Sequence, residues 1–378
     1  MNLFRLRLDL GIIFLLIFSW PSLKKELATS DFHKTVESIE TNLKNMKENI
    51  NLEERIKPVS DKVKQIISDI GFDIKEKQKI EQKELDKVKL TTPSNQMFSI
   101  NNIELGDAKK DIEGKLGSAK RASQNEYGED WYAYHKDYHQ FFMVMYDQQN
   151  RVNGLYTNQN LISSTNGIKI GTSKEIVRNR LGKPLTSIQK GWIIYKFQKQ
   201  SDYDVFLIND VYITIFYDKY ENNTVTALQL ISKDLEDKKK DYYTIANQSL
   251  EKGFEYQLFD LTNSARVNHQ LPILTWDQHV KGTALDHSRD MAKNNYFDHT
   301  NLKGQSPFDR MSQDHISFIL AGENIAYGQM SSIFAHEGLM NSMGHRKNIL
   351  QKDYEYMGVG VAFNNESQPY YTQNFYAK

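Results

Sequence analysis

The stretch "NSMGHRKNIL", Asn341–Leu350, sets one histidine, His345, among small residues ahead of an apolar helix end. Upstream, "AGENIAYG" at Ala321–Gly328 carries Glu323, and "NNYFDHTNLKGQSP" at Asn294–Pro307 carries His299 between aromatics and a polar turn. The three titratable groups stand 24 and 22 residues apart, each in an otherwise apolar or small-residue frame. Polar groups so placed need partners, and they are the most available partners for one another. The pattern predicts that His299, Glu323 and His345 converge in one partly open cleft, with an imidazole nitrogen facing solvent.

Around these three motifs, residues 254–378 hold seven of the ten histidines and alternate helical with strand-like runs. Asp277 is suited to cap a helix whose apolar face carries Val280, Ala284 and Met291. A second helix is expected from about Ser331, with Ile333, Phe334 and Met340. "MGVGVAF" and "YYTQNFYA", joined by the turn-like "NNES", read as a terminal β-hairpin.

"LTNSARVNHQLPILTWDQHVKGTALDHSRDMAKNNYFDHT", "PFDRM", "AGENIAYG", "NSMGHRKNIL" and "MGVGVAF" follow one another in the order found in the CAP superfamily of cysteine-rich secretory, antigen 5 and pathogenesis-related proteins. The last third of the chain resembles the cysteine-free bacterial branch. The resemblance implies an α-β-α sandwich, the CAP/SCP fold, with a cleft that in eukaryotic members is lined by two histidines and two acidic residues. His299, Glu323 and His345 match three of the four. The fourth falls at or near Ser342, which departs from the pattern and puts any two-carboxylate mechanism in doubt. Glu337, five residues upstream, does not align and faces elsewhere on a helix. Family members are linked to lipid and sterol binding, proteolysis and nuclease-like activity without one shared chemistry, so fold alone does not assign a function.

Brought together, two neutral imidazoles, His299 and His345, can hold a Zn²⁺-like ion. Glu323 would then be a third ligand, an orienting partner, or the base that activates a bound water. The alternative is a hydrogen-bonded polar cluster that ties helix to sheet. His287 shares the apolar face of the Asp277-capped helix, either as a satisfied core histidine or as an extension of the cleft. His336, nine residues before His345, falls on nearly the opposite side of a helix and is excluded from the site. Arg266 and Arg310 read as buried pairing residues, with Asp277 or Asp309 as candidate partners.

Upstream, residues 98–232 contain an internal duplication. "IELGDAKKDIEGKLGSAKR" from Ile103 matches "IKIGTSKEIVRNRLGKPLT" from Ile168, 65 positions later. Each copy reads as a short helix closed by Leu-Gly, at Gly117 and Gly182 in a left-handed cap, followed by a small antiparallel sheet. This pair is similar to the CAP-associated N-terminal domain of bacterial members. His135 and His139 lie in one strand-like run and are expected to be exposed on one face. Residues 233–253 form a charged linker and helix start. In 31–97, Phe32, Val36, Ile39, Leu43, Met46 and Ile50, then Ile56, Val59, Val63, Ile66 and Ile70, mark a helical seam. That seam fits a stalk that pairs with itself or another copy, or else a disordered spacer.

Residues 1–30, with Arg5 and Arg7 before an apolar run from Leu10 to Trp20, read as a cleaved signal peptide or an uncleaved anchor. Either places the remainder outside the cytoplasm, secreted or held at the outer face of the cytoplasmic membrane. The chain of 378 residues has 48 basic and 48 acidic residues, so no global field favours nucleic acid. It has no cysteine, which removes disulfides and thiolate chemistry and leans towards a bacterial source. The fold class is α+β. Two functions remain: an extracellular module binding a wall component, lipid or protein, or a metal-dependent hydrolase acting at the envelope.

Overall fold

The structure is a computed structural model and describes residues 88–197 and 201–378. The export segment and nearly all of the stalk therefore lie outside the described residues. Among the described residues no helix is long and apolar enough to cross a membrane.

The duplication appears as two helices at the same offset, α1 (Lys109–Leu116) and α2 (Lys174–Leu181). Ser173 caps α2 by accepting from the Ile176 amide, with Glu175 in the first turn and Arg178 and Arg180 in the last. Gly117 and Gly182 close the helices with φ of 77° and 83°. Their ψ values, −173° and −152°, are extended, so the chain leaves straight instead of in the left-handed helical cap expected. A side chain would still be strained at that φ. The residue before each helix bridges to the strand region of its own copy, Ala108 to Arg151 and Ser173 to Thr224.

The strands that follow do not make two small sheets. β2 (Arg121–Gln124), β3 (Asp130–Lys136), β4 (His139–Tyr146) and β5 (Val152–Thr157) come from the first copy. β9 (Tyr203–Ile208), β10 (Val211–Asp218) and β11 (Thr224–Ser232) come from the second. They join in one seven-stranded sheet of order 2-3-4-5-11-10-9, and the seam is the antiparallel pairing of the two last strands, Leu230 opposite Leu155. A small sheet of β1 (Phe98–Ile100) and β6 (Ile162–Ser164) accompanies it. In the second copy, β7 (Ser187–Lys190) and β8 (Ile193–Lys196) pair only with each other.

The alternation "FFMVMY" in β4 shows how this sheet is covered. Phe142, Val144 and Tyr146 face α1 and α2, whereas Phe141, Met143 and Met145 face the C-terminal domain. Both faces are buried, so the run reads as continuously apolar. His135 and His139 are separated by a turn at Asp137–Tyr138, where φ is positive at both residues. They occupy different strands and are half-buried, not exposed on one strand. His135 accepts from the Tyr138 amide and stacks on its ring, and burial lowers its pKa to about 4.

The C-terminal domain is a sheet of order β12-β14-β15-β13 between helical layers, with β12 (Thr275–Trp276), β13 (Leu320–Tyr327), β14 (Tyr356–Phe363) and β15 (Pro369–Ala377). β14 and β15 form the expected hairpin. In "MGVGVAF", Val359 and Val361 join the core that includes Phe254 and Leu258 of α4 (Gln248–Asn268). Gly358 and Gly360 face α5 (Gln278–Asn294), where a Cβ would lie 2.3 Å from the Lys281 nitrogen and 2.1 Å from that of Leu285. Glycine is what lets helix and sheet approach so closely. Asp277 caps α5 through the amides of His279 and Val280. The connecting helices are α3 (Lys233–Lys238), α6 (Pro307–Gln313), α7 (Ser332–Met340) and α8 (Met343–Ile349). One cluster runs from Trp131 and Phe216 of the repeats through Leu258 of α4 to Phe375 of β15, so both domains share a core.

Candidate functional site

His299 lies in the loop after α5, which leaves the helix through Asn295 in a left-handed conformation, φ 51° and ψ 49°. Asp298 turns the chain by accepting from the Thr300 amide, and Asn301 does the same for Gln305. Glu323 is central in β13 with its side chain 1 % exposed, against 47 % for His299. Its Oε1 lies 2.8 Å from His299 Nδ1, and its Oε2 accepts from Arg310 Nη2 at 2.6 Å. A carboxylate only accepts, so His299 Nδ1 carries a proton, and Nε2 of this half-exposed ring is the nitrogen left for a ligand.

Arg310, on α6, also donates from Nη1 to His299 O at 2.8 Å and Gln305 O at 3.0 Å. One guanidinium thus neutralises Glu323 and holds the loop that presents His299. His345 is half-buried on α8, and its Nδ1 lies 2.8 Å from Ser342 Oγ. Burial lowers the His345 pKa first, and nearby His299 adds to it. Asn348 donates to Glu323 O at 3.0 Å and to Asn324 Oδ1 at 2.9 Å, while Asn324 donates to His345 O at 3.1 Å. These bonds clamp α8 to β13. His287 is buried beneath, with Nε2 3.0 Å from Asp298 O and Nδ1 without a hydrogen-bond partner. Burial lowers its pKa, opposed by the charge of Glu323.

Three details depart from the sequence expectations. Arg310 pairs with Glu323, not Asp309, because Asp309 is spent on a capping box with Ser306. Arg266 is fully buried yet pairs with no carboxylate among the described residues; it donates to the carbonyls of Pro272, Ile349 and Gln351. Asp277 is taken by its cap and by Tyr376. Glu337 does not replace the missing acid: it is buried against the repeats, where it accepts from Tyr156 at 2.7 Å. Asn324 and Asn348 stand inside the "GEN" and "HRKN" motifs, but an uncharged amide carries no signal in the sequence that marks it as a clamp.

The donor set does not fit the three-ligand zinc centre anticipated from His299, His345 and Glu323. Both carboxylate oxygens are engaged, one by a guanidinium that would repel a cation. Among the described residues no group of three or more His, Cys, Asp or Glu side chains is placed to hold a metal ion. Ser342, at the fourth position, supplies a hydroxyl that orients His345 without charging it.

Sandwich, hairpin and imidazole face together define a CAP-domain protein, and the chain belongs to that family. Residues 259–375 match the cysteine-rich secretory protein family, and 105–242 match the CAP-associated N-terminal family. The uncharacterized membrane protein YlbC of Bacillus subtilis (strain 168) is 31 % identical over 290 residues, 72 % of this chain and 82 % of that protein. The uncharacterized protein YkwD of the same organism is 40 % identical over 126 residues, 33 % of this chain and 48 % of its own length. Among solved structures, an extracellular protein containing a SCP domain from Bacillus anthracis str. Ames superposes with a TM-score of 0.63 at 26 % identity, covering 78 % of this chain and all of that one. A cysteine-rich secretory protein from Staphylococcus aureus subsp. aureus Mu50 shares the fold, with a TM-score of 0.57 at 16 % identity over 72 % of this chain and 94 % of its own.

Proposed function

We propose that the chain is a binding module outside the cytoplasm, at the cell envelope, and that the face bearing His299 and His345 is its ligand site. The carrying observation is the Arg310–Glu323 pair. A general base must accept a proton from water, and a buried carboxylate held by a guanidinium and an imidazole is poorly placed to do so. The same pair rigidly presents His299 Nε2, which suits recognition of a polar ligand. The apolar segment near the amino terminus, and relatives named as extracellular and as a membrane protein, support the location.

The test is a titration of the full-length chain, with ¹⁵N-labelled imidazoles, against muropeptides from digested peptidoglycan. The expected result is a shift confined to His299 and His345, lost when both are replaced by alanine. Zinc-dependent release of cleaved product in the same mixture would replace this reading with a hydrolase. Arg310→Met should cost about 3–5 kcal/mol in urea unfolding, because it strands a buried carboxylate.

A further inference from the structure

The second repeat departs from the first at one place. The helices are 65 positions apart, but the hairpin turns at residues 137–138 and 209–210 are 72 apart, so the second copy carries extra residues between α2 and β9. β7 stands 66 positions after β2 and corresponds to it, so the extra residues fall between β7 and β9 and include β8, with which β7 pairs in a separate hairpin. In the first copy β2 stays in the sheet and packs under α4, so tightly that a Cβ on Gly253 would lie 1.9 Å from Gln124 O. In the second copy, among the described residues, no strand joins the sheet beyond β9, although the Leu185 amide donates to Val205 O at 2.7 Å.

Beside the start of β9 lies a cavity of about 560 Å³ between the β7–β8 hairpin, the segment after α3, the end of β13 and α7. The volume lies within the roughly 300–1,000 Å³ of small-molecule sites. Eight aromatic side chains line it, five tyrosines and three phenylalanines, and no leucine, isoleucine or valine does. Tyr195 stacks on Tyr242 at 4.8 Å, and Phe334 meets Tyr203 edge-on at 5.1 Å. Lys196, Ser201, Asp202, Gln329 and Glu337 supply polar groups among the rings.

We infer that this cavity is a carbohydrate-binding site for a short stretch of glycan. An acyl chain would be better matched by branched aliphatic walls. A pyranose ring presents a flat face of polarised C–H groups that packs on the negative face of an aromatic ring, while its equatorial hydroxyls reach side groups at the rim. Tyrosine serves both needs, with an apolar face and a polar edge. The site is separate from the imidazole face; β13 contributes Glu323 to one and Tyr327 to the other.

The experiment is calorimetric titration of the full-length chain with chitotriose, a soluble oligomer of N-acetylglucosamine, and in parallel with tetramethylammonium. Chitotriose should bind, and Tyr242→Ala should weaken binding at least tenfold, while Tyr242→Phe, which keeps the ring, stays within threefold. Replacing His299 and His345 together should leave it unchanged, which separates failure here from failure of the imidazole-face reading. Should Tyr242→Ala shift the melting curve, Asp202→Ala provides the second variant, with at least a threefold loss expected. No chitotriose binding by the unmodified chain, or equal binding by all cavity variants, overturns the proposal. Binding of tetramethylammonium alone would assign the rings to an organic cation instead.

Discussion

The two repeats share a plan and meet the CAP domain in different ways. The first does so through close backbone packing and a dense polar network. Asp260 of α4 accepts from Arg121 and Tyr138, both at 2.9 Å, and Gln159 donates to Ser264 at 2.9 Å. The second holds it at one end, where Asp218 pairs with Arg346 at 2.6 Å and Asn341 donates to Tyr217 O at 2.8 Å and accepts from the Lys219 amide at 3.0 Å, and beside these contacts it offers aromatic rings around a cavity. A duplicated unit presents two similar edges, and only one is needed to fix the domain. The other is free to hold something else.

The largest effect expected at the two repeat contacts tests how the first depends on pH. Glu126, in the turn after β2, is fully buried, and burial raises its pKa to about 7, opposed chiefly by Lys239 and less by the Ser331 hydroxyl. The folded chain therefore keeps a proton that the unfolded chain has released above about 4.5. The stabilisation is complete below that pH, falls as pH rises, and is gone above about 7. Glu126→Gln should remove this term, on the order of 3 kcal/mol between pH 4.5 and 8. Buried His336, lowered to about 3, works the other way, losing stability as pH falls below about 6.5. The measurement is thus the difference between wild type and variant in urea unfolding across pH. A constant difference would mean that Glu126 is solvated and the first contact is loose.

Next comes packing. Gly253→Ala forces a Cβ onto the Gln124 carbonyl, backbone against backbone. Neither side can yield by changing rotamer, so a loss of about 2–3 kcal/mol is expected. Phe334→Leu on the second repeat's side removes one ring from a partly buried cluster and should cost about 1 kcal/mol. Equal losses would erase the distinction between a tight contact and an open one.

Much of this was legible in the sequence, and the remainder was hidden for identifiable reasons. The helix offset and the His299–Glu323–His345 motifs are local patterns. The joining of the repeats through β5 and β11 is not, because strands buried on both faces show no alternation that names a partner. Arg310 sits beside Asp309 in the chain, but adjacent helical residues do not face each other, and its partner arrives from β13. The turn between His135 and His139 contains neither glycine nor asparagine, so in "HKDYH" only Asp137 hints at the positive φ values at Asp137 and Tyr138.

The smallest expected effect bears most directly on the open edge. At the tip of the β7–β8 hairpin Trp192 is fully exposed, followed by Ile193 and Ile194, both more than half exposed. If the hairpin stands away from the sheet, these side chains bury nothing within this chain. Trp192→Ala should then change unfolding free energy by less than about 0.5 kcal/mol, as surface substitutions do. Its fluorescence should also be that of a solvated indole. A loss above 1 kcal/mol, or a blue-shifted Trp192 emission in the free protein, would mean that the hairpin folds back over the sheet edge. The second repeat would then be closed like the first, and the cavity between its hairpin and the CAP domain would have no room for a ligand.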